Sequence, residues 1–316
     1  MIYPDGFINK IIQGDVMDIM KKIPDNSIDC IITSPPYWNC RTYLPEQHPN
    51  KTKEIGTEKH PQQYIDRIVE ISLECVRVLK KTGVFFINLG DVYYNKEMGK
   101  YKDSWIKPKG RLLLPLRIAV ELQDRGIIIR DIIVWVKKLT KYPERTSIGT
   151  VIPFPVKDRL LSSFEYILQI VKSQKYYFDL DPIMNEIKDW TVERRKITPE
   201  YHKTGFKGLN KYLERVSNWR KNKIGETPKT KPTNAVMFRF GNWIAGPQGH
   251  YAKFSKSLAE FFILAGCPPN GIVLDPFMGS GTVAVVSKKL GRNYIGIEIN
   301  EEYIKMAEER ILNNKF

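Results

Sequence analysis

Near its C-terminal end the chain reads Gly271-Ile272-Val273-Leu274-Asp275-Pro276-Phe277-Met278-Gly279-Ser280-Gly281-Thr282. A short apolar run, Gly271 to Leu274, ends in an acid. The backbone then turns through glycines, and Thr282 to Leu290 has the apolar spacing of a helix. A second strand, Tyr294 to Ile299, and a second helix, Glu301 to Asn313, follow. Glycines let a backbone approach a ligand closely, and a helix N-terminus offers unpaired N–H groups to an anion such as a carboxylate. Glu298 stands 23 residues after Asp275, close to the spacing of about 20 expected of an acid that grips ribose hydroxyls. Tight strand-to-helix turns also occur with nothing bound, so the turn alone leaves a purely structural reading open. Neither G-x-x-x-x-G-K-[ST] nor G-x-G-x-x-G is present, which disfavours a P-loop and a dinucleotide dehydrogenase. Strand, turn, helix, strand and acid together outline a nucleoside pocket that suits S-adenosylmethionine.

Outward from this stretch, Ser27 to Thr33 is a strand that delivers the chain into Ser34-Pro35-Pro36-Tyr37-Trp38. Each proline fixes its own φ and pushes its predecessor away from the helical region, so the segment is a stiff loop at a strand's C-terminal end. A nucleobase amine has its lone pair delocalised into the ring. Acceptors that hydrogen-bond its N–H groups help it pyramidalise and attack a sulfonium methyl, and the Ser34 hydroxyl and Pro35 carbonyl are candidates. Tyr37 offers a π-face to a base swung out of a duplex, where stacking is worth about 1–3 kcal/mol against a flipping cost of a few kcal/mol. Taken alone, Pro-Pro-Tyr-Trp also reads as a rigid surface loop or a proline-rich ligand motif. The loop and the glycine turn each follow an apolar strand, as a shared active-site edge requires.

The remaining pattern alternates. Ile11 to Asp15 is a strand closing on a Gly-Asp turn, Val16 to Lys22 has helical spacing, and Asn39 to Gln63 is polar and irregular. Tyr64 to Lys81 is a helix, Val84 to Leu89 a strand and Leu112 to Arg125 a helix. Ile127 to Val136 and Phe164 to Lys172 are consecutive strands, which predicts an antiparallel pair at one edge of an α/β sheet. Between Ile183 and Gly246 the periodicity fades. Lys and Arg outnumber Asp and Glu there roughly two to one, with Trp190, Tyr201, Tyr212 and Trp219 interspersed. This stretch reads as an inserted module in which Arg194, Arg195, Lys196, Arg220, Lys221 and Lys223 neutralise phosphates and some reach base edges. Any one of them also reads as part of a solvated face.

Composition sets the bounds. The 316 residues suffice for a substantial core, and 50 Lys+Arg against 35 Asp+Glu give a formal charge of +15, which points to a polyanionic partner such as nucleic acid. No apolar run approaches the roughly 20 residues that span a bilayer. Met1-Ile2-Tyr3-Pro4-Asp5 lacks the regions of a secretory signal, so the expected compartment is the cytoplasm. Cys30, Cys40, Cys75 and Cys267 form no C-x-x-C pair, which argues against zinc and a disulfide framework. They read as reduced thiols, mostly buried, with Cys40 partly so. His250 has no partner at ligand spacing and is expected in a structural or cofactor-side role.

These residues resemble the amino-methyltransferases of bacterial and archaeal restriction–modification systems, in the permuted group whose catalytic loop precedes the cofactor motif. The resemblance runs over most of the chain. It rests on Gly14-Asp15, Thr33-Ser34-Pro35-Pro36-Tyr37-Trp38, Asn88-Leu89-Gly90-Asp91, Arg130-Asp131-Ile132-Ile133-Val134-Trp135 and Phe164-Glu165-Tyr166. His250-Tyr251-Ala252-Lys253-Phe254 and Asp275 to Thr282 complete it. The implied fold is α/β: a Rossmann-like seven-stranded methyltransferase sheet, mostly parallel with one antiparallel strand, circularly permuted, with an inserted basic recognition region. Residues 1–182 would be the catalytic half, 183–246 the target-recognition insert and 247–316 the cofactor-binding half.

By the same resemblance, Ser34, Pro35, Pro36 and Tyr37 would hold the target base. Asp275, Phe277, Gly279, Gly281, Thr282 and Glu298 would line the S-adenosylmethionine pocket. Lys253, Phe254 and Ser255 would close over the methionine end, and Asp15 would approach the adenine. Ser before Pro-Pro-Tyr goes with cytosine N4 in most such enzymes, whereas Asp or Asn goes with adenine N6. The expected reaction is therefore methylation of cytosine N4 in double-stranded DNA. Adenine N6, a protein-glutamine or RNA substrate, and a non-catalytic DNA-binding protein with a methyltransferase fold are the alternatives. Direct transfer to nitrogen needs no cysteine nucleophile. No metal and no membrane are expected, and a cognate restriction endonuclease would act separately.

Overall fold

The computed structural model describes residues 3–95, 98–149, 151, 157–186, 229–238 and 255–313. The chain forms two compact units, Met1–Asp179 with Asn234–Phe316, and Leu180–Thr233.

In chain order the strands are β1 (Lys10–Gln13), β2 (Ile28–Thr33), β3 (Leu79–Leu89), β4 (Ile128–Val136), β5 (Lys138–Lys141), β6 (Thr146–Gly149), β7 (Phe164–Val171), β8 (Asn185–Glu186), β9 (Lys229–Thr230), β10 (Ala235–Val236), β11 (Ile272–Asp275) and β12 (Asn293–Glu298). The α-helices among the described residues are α1 (Val16–Met20), α2 (Pro61–Val78), α3 (Leu114–Asp124), α4 (Lys256–Gly266), α5 (Thr282–Lys289) and α6 (Glu301–Leu312). The first unit is built on an eight-stranded sheet of order β1-β12-β11-β2-β3-β7-β4-β10. Every neighbouring pair is parallel except the two that β7 makes with β3 and β4.

Successive strand residues point to opposite faces, and β3 shows the result. Phe85 and Ile87 enter one core with Ile65, Ile68, Ile118 and Leu122 from α2 and α3. Val84 and Phe86 enter the other with Phe262, Ile263, Ala284 and Val286 from α4 and α5. Both faces are thus covered, as a mainly parallel sheet requires.

Several expectations are corrected. The sheet has eight strands where seven were expected, because the two-residue β10 extends its edge by pairing with β4. A strand this short has no readable period. The antiparallel pair forms, but β7 lies inside the sheet between β3 and β4. The helix read to Lys81 stops at Val78, where Leu79 turns extended and pairs with Ile28. Its start is fixed by a capping box: His60 Nδ1 accepts the Gln62 N–H, and Gln63 accepts the His60 N–H. Helix α4, which no sequence period marks, is apolar nearly all round because it packs against β2 and β3. Cys40 is exposed rather than partly buried, while Cys30, Cys75 and Cys267 are buried. No described helix is long and apolar enough to cross a membrane.

In the second unit β8 and β9 pair antiparallel, Asn185 opposite Thr230 and Glu186 opposite Lys229.

Candidate active site at the carboxyl edge of the sheet

Strands β2 and β11 are parallel neighbours, with Cys30 opposite Val273 and Ile31 opposite Leu274. Such strands lie about 4.8 Å apart, so the loop after one and the turn after the other emerge side by side. Thr33 Oγ1 donates to Asp275 Oδ1 at 2.6 Å across 242 residues of chain. The Phe277 N–H donates to the same oxygen at 3.0 Å. Burial pushes the Asp275 carboxyl up to about 7; the bonds from Thr33 and Phe277 pull it down, and the nearby Glu298 charge pushes it further up.

The turn that follows needs its glycines. Gly279 and Gly281 have φ of +51° and +80°, the left-handed region in which a Cβ is disfavoured. A Cβ on Gly279 would also meet nothing closer than Phe277 O at 3.9 Å, so this side of the turn is open. The Gly279 N–H donates to Glu298 Oε2 at 2.8 Å, while Oε1 accepts the N–H groups of Ile299 and Asn300 at 3.0 and 2.9 Å. A carboxylate has about four lone-pair sites. One remains on Oε2 for a ligand hydroxyl. Burial pushes the Glu298 carboxyl up, and its three N–H donors oppose that shift.

The other predicted cofactor residues are placed unequally. Asp15 lies after β1, beside β12, and caps α1 by accepting the Met17 and Asp18 N–H groups at 3.0 and 3.3 Å. Phe277 is half-buried against the core. Thr282 faces away towards α6, where Arg310 donates to its hydroxyl and to that of Ser280. Ser255 is buried at the N-cap of α4. Lys253, Phe254 and His250 lie outside the described residues, as do Arg194, Arg195, Lys196, Arg220, Lys221 and Lys223.

The loop after β2 is held from several strands. Pro35 is buried, the Pro36 carbonyl accepts from Tyr64 Oη at 3.1 Å, and buried Trp38 donates to the Glu58 carbonyl at 2.8 Å. Asn88, at the end of β3, donates through Nδ2 to Tyr37 Oη at 2.7 Å, to Glu165 Oε2 at 2.9 Å and to Ser34 Oγ at 3.3 Å. Tyr37 Oη donates to Glu165 Oε2 at 2.8 Å, and Lys137 pairs with Glu165 Oε1. Burial, with the Glu165 charge beside it, pushes the Tyr37 phenol well above its ordinary range. It stays protonated and donates. Ser34 and Tyr37 are thus brought together with Asn88, Glu165 and Lys137, three residues to which the sequence assigned no role. Asn88 and Glu165 lay within quoted motifs, and a polar side chain at the end of an apolar strand is the signal that marks them.

Residues 28–309, nearly the whole chain, match a family model described as DNA methylase. The chain belongs to the DNA methylase family. The methylase is 31% identical to the type II methyltransferase M.SmaI of Serratia marcescens, over 97% of this chain and 91% of that protein. Its fold resembles that of the cytosine-N4-specific PvuII DNA methyltransferase, with a TM-score of 0.62 and 18% identity over 97% of this chain and 87% of that one. M1.HpyAVI in complex with S-adenosylmethionine gives a TM-score of 0.54 at 20% identity, over 96% and 98% of the two chains. At such identities the likeness is one of fold.

Proposed function

We propose that the methylase transfers the methyl group of S-adenosylmethionine to the exocyclic N4 of cytosine in duplex DNA, after the base has swung out of the helix. The observation that carries this reading is the Thr33–Asp275 bond, which sets an amine-holding loop beside a glycine turn with a free acceptor. The donor set suits the cofactor. Glu298 keeps one lone pair for a ribose hydroxyl, and the open side of Gly279 leaves room for a ligand against the backbone. Gly281, Phe277 and Asp275 shape the same turn, and Asp15 stands after the neighbouring strand. The cofactor supplies an electrophilic methyl on a sulfonium.

The chain's own residues prepare the amine. Ser34 Oγ and the Pro35 carbonyl accept its N–H bonds and localise its lone pair for attack on the methyl; the carbon–sulfur bonding pair would leave on sulfur as the nitrogen–carbon bond forms, and the proton lost from the amine would pass by way of these acceptors to solvent. Tyr37, held by its hydroxyl to Asn88 and Glu165, presents its ring to the flipped base. No covalent adduct to cysteine is needed.

Ser34 supports cytosine. Adenine N6 is the second reading, because a hydroxyl acceptor does not by itself exclude that amine. The cofactor half coming last in a permuted chain, a target-recognition role for residues 183–246, a cytoplasmic setting and a separately acting endonuclease belong to the same proposal. Incubation with labelled S-adenosylmethionine and mixed-sequence duplex, followed by digestion to nucleosides, is expected to yield N4-methylcytosine. N6-methyladenine would move the assignment to the second reading, and an absence of label would end the enzymatic one.

A further inference from the structure

The ribbon formed by β5 and β6 belongs to neither core. Strand β4 ends at Val136 opposite Phe164, the first residue of β7, and β7 in turn runs antiparallel to β3 with Tyr166 opposite Leu89. The chain therefore leaves β4 at the same carboxyl edge from which the loop after β2 and the turn after β11 emerge. Lys137 marks the root. Its N–H donates to Ser163 O at 2.7 Å, and its ammonium pairs with Glu165, the acceptor of the Tyr37 hydroxyl.

Beyond that root the ribbon is exposed. Leu139 and Ile148 are directly opposed across the strands yet 52% and 48% exposed, and Tyr142 at the turn is 84% exposed. A two-stranded ribbon has little stability of its own in water, and an apolar cross-strand pair half exposed to solvent adds little. From Lys137 to Gly149 the chain has Lys137, Lys138, Lys141 and Arg145 against the single acid Glu144, a net charge of +3. Lys137 is occupied by Glu165, whereas Lys138, Lys141 and Arg145 make no ion pair among the described residues.

We propose that the β5–β6 ribbon is a DNA-contacting arm that lies in a groove of the duplex beside the target base. The inference rests on the DNA-methylating reading and names the surface that serves it. A two-stranded ribbon fits the major groove, which is about 12 Å wide. Two strands about 4.8 Å apart, each four residues long, make an arm on the order of 13 Å in reach at roughly 3.3 Å per residue. Lys138, Lys141 and Arg145 meet phosphates, while Leu139, Ile148 and Tyr142 meet sugars and base edges. A second copy of the chain is the competing occupant, but two patches of the same positive charge repel each other.

The test compares the full chain with its Lys138→Ala/Lys141→Ala/Arg145→Ala variant, using a fluorescent mixed-sequence duplex over a series of salt concentrations. Each phosphate contact contributes about 0.9 to the slope of log affinity against log salt. The slope is expected to flatten by about 2–3, with affinity at low salt lower on the order of tenfold or more. S-adenosylmethionine binding and near-ultraviolet circular dichroism stay at the parent values, which excludes misfolding. The exchange Lys138→Arg/Lys141→Arg/Arg145→Lys is expected to keep the parent slope. A triple variant with the parent's slope and affinity overturns the arm while leaving DNA methylation intact. DNA binding that is unchanged while a dimer becomes a monomer gives the ribbon to self-association and likewise overturns it. A parent chain that binds the cofactor but neither binds nor methylates duplex removes the DNA reading, and the arm with it.

Discussion

Glu165 shows how one carboxylate orients two side chains of the proposed catalytic loop. Its Oε2 takes the Tyr37 hydroxyl and the Asn88 amide, and Asn88 in turn reaches Ser34. Hydrogen bonds to a charged group are worth about 1.5–3 kcal/mol. Glu165→Gln should therefore lower kcat on the order of ten- to a hundredfold, with the cofactor Kd unchanged by calorimetry. An unaltered kcat would remove Glu165 from the site. Asp275 makes a different prediction. Its carboxyl is raised from 3.8 to about 7 by burial, so the folded chain holds that proton more tightly than the unfolded chain. The associated stability is fully present below about pH 4 and is lost as pH rises through 7, up to about 4 kcal/mol in all. Glu298, shifted the same way, adds to the trend. Denaturant midpoints should fall between pH 5 and pH 8, and Asp275→Asn should flatten that fall. A midpoint independent of pH in the parent would contradict the raised carboxyl. The loop and the turn were legible in the sequence because each is a contiguous motif. Their supports were not, since Asn88 and Glu165 come from separate strands and Lys137 from the bend between β4 and β5, and only pairing brings them together.

At the scale of elements, the loop's geometry depends on how closely β3 lets it approach. A Cβ added at Gly90, just after β3, would stand 2.3 Å from the Tyr37 ring, far inside a normal contact. Gly90→Ala should push the ring off its seat. We expect activity to fall more than tenfold, on the order of the loss of one well-made contact, with a melting temperature within a few degrees of the parent. Parent-like activity would show that the ring has room elsewhere. Helices with capping signals and one apolar face, such as α2, were legible; α4, apolar almost all round, was not. Length set the other limit: β10 has two residues and β8 and β9 two each, too few for a period of two to repeat. The end of α2 was misplaced because Lys80 and Lys81 fit a helix face and a strand edge equally well.

The whole molecule is interleaved. Strands β11 and β12 come last in the chain yet lie between β1 and β2. A fragment of residues 1–182 has β1 and β2 with nothing between them, and most of the second core is missing. It should show no cooperative unfolding transition and should bind a hydrophobic dye, while the full chain unfolds in one step over the sheet. A cooperative fragment would mean that the N-terminal portion is a domain in its own right. The α/β class was legible from alternation, but strand order was not, because pairings across more than two hundred residues leave no mark in a local window.

The Thr33–Asp275 bond also limits how far the loop and the turn can move apart. It ties together two strand ends whose spacing is that of a sheet ladder, so the gap between loop and turn cannot widen without breaking a buried hydrogen bond. The separation of loop and turn is then set by strand pairing and one side-chain bond, independent of the side chains proposed to touch the base.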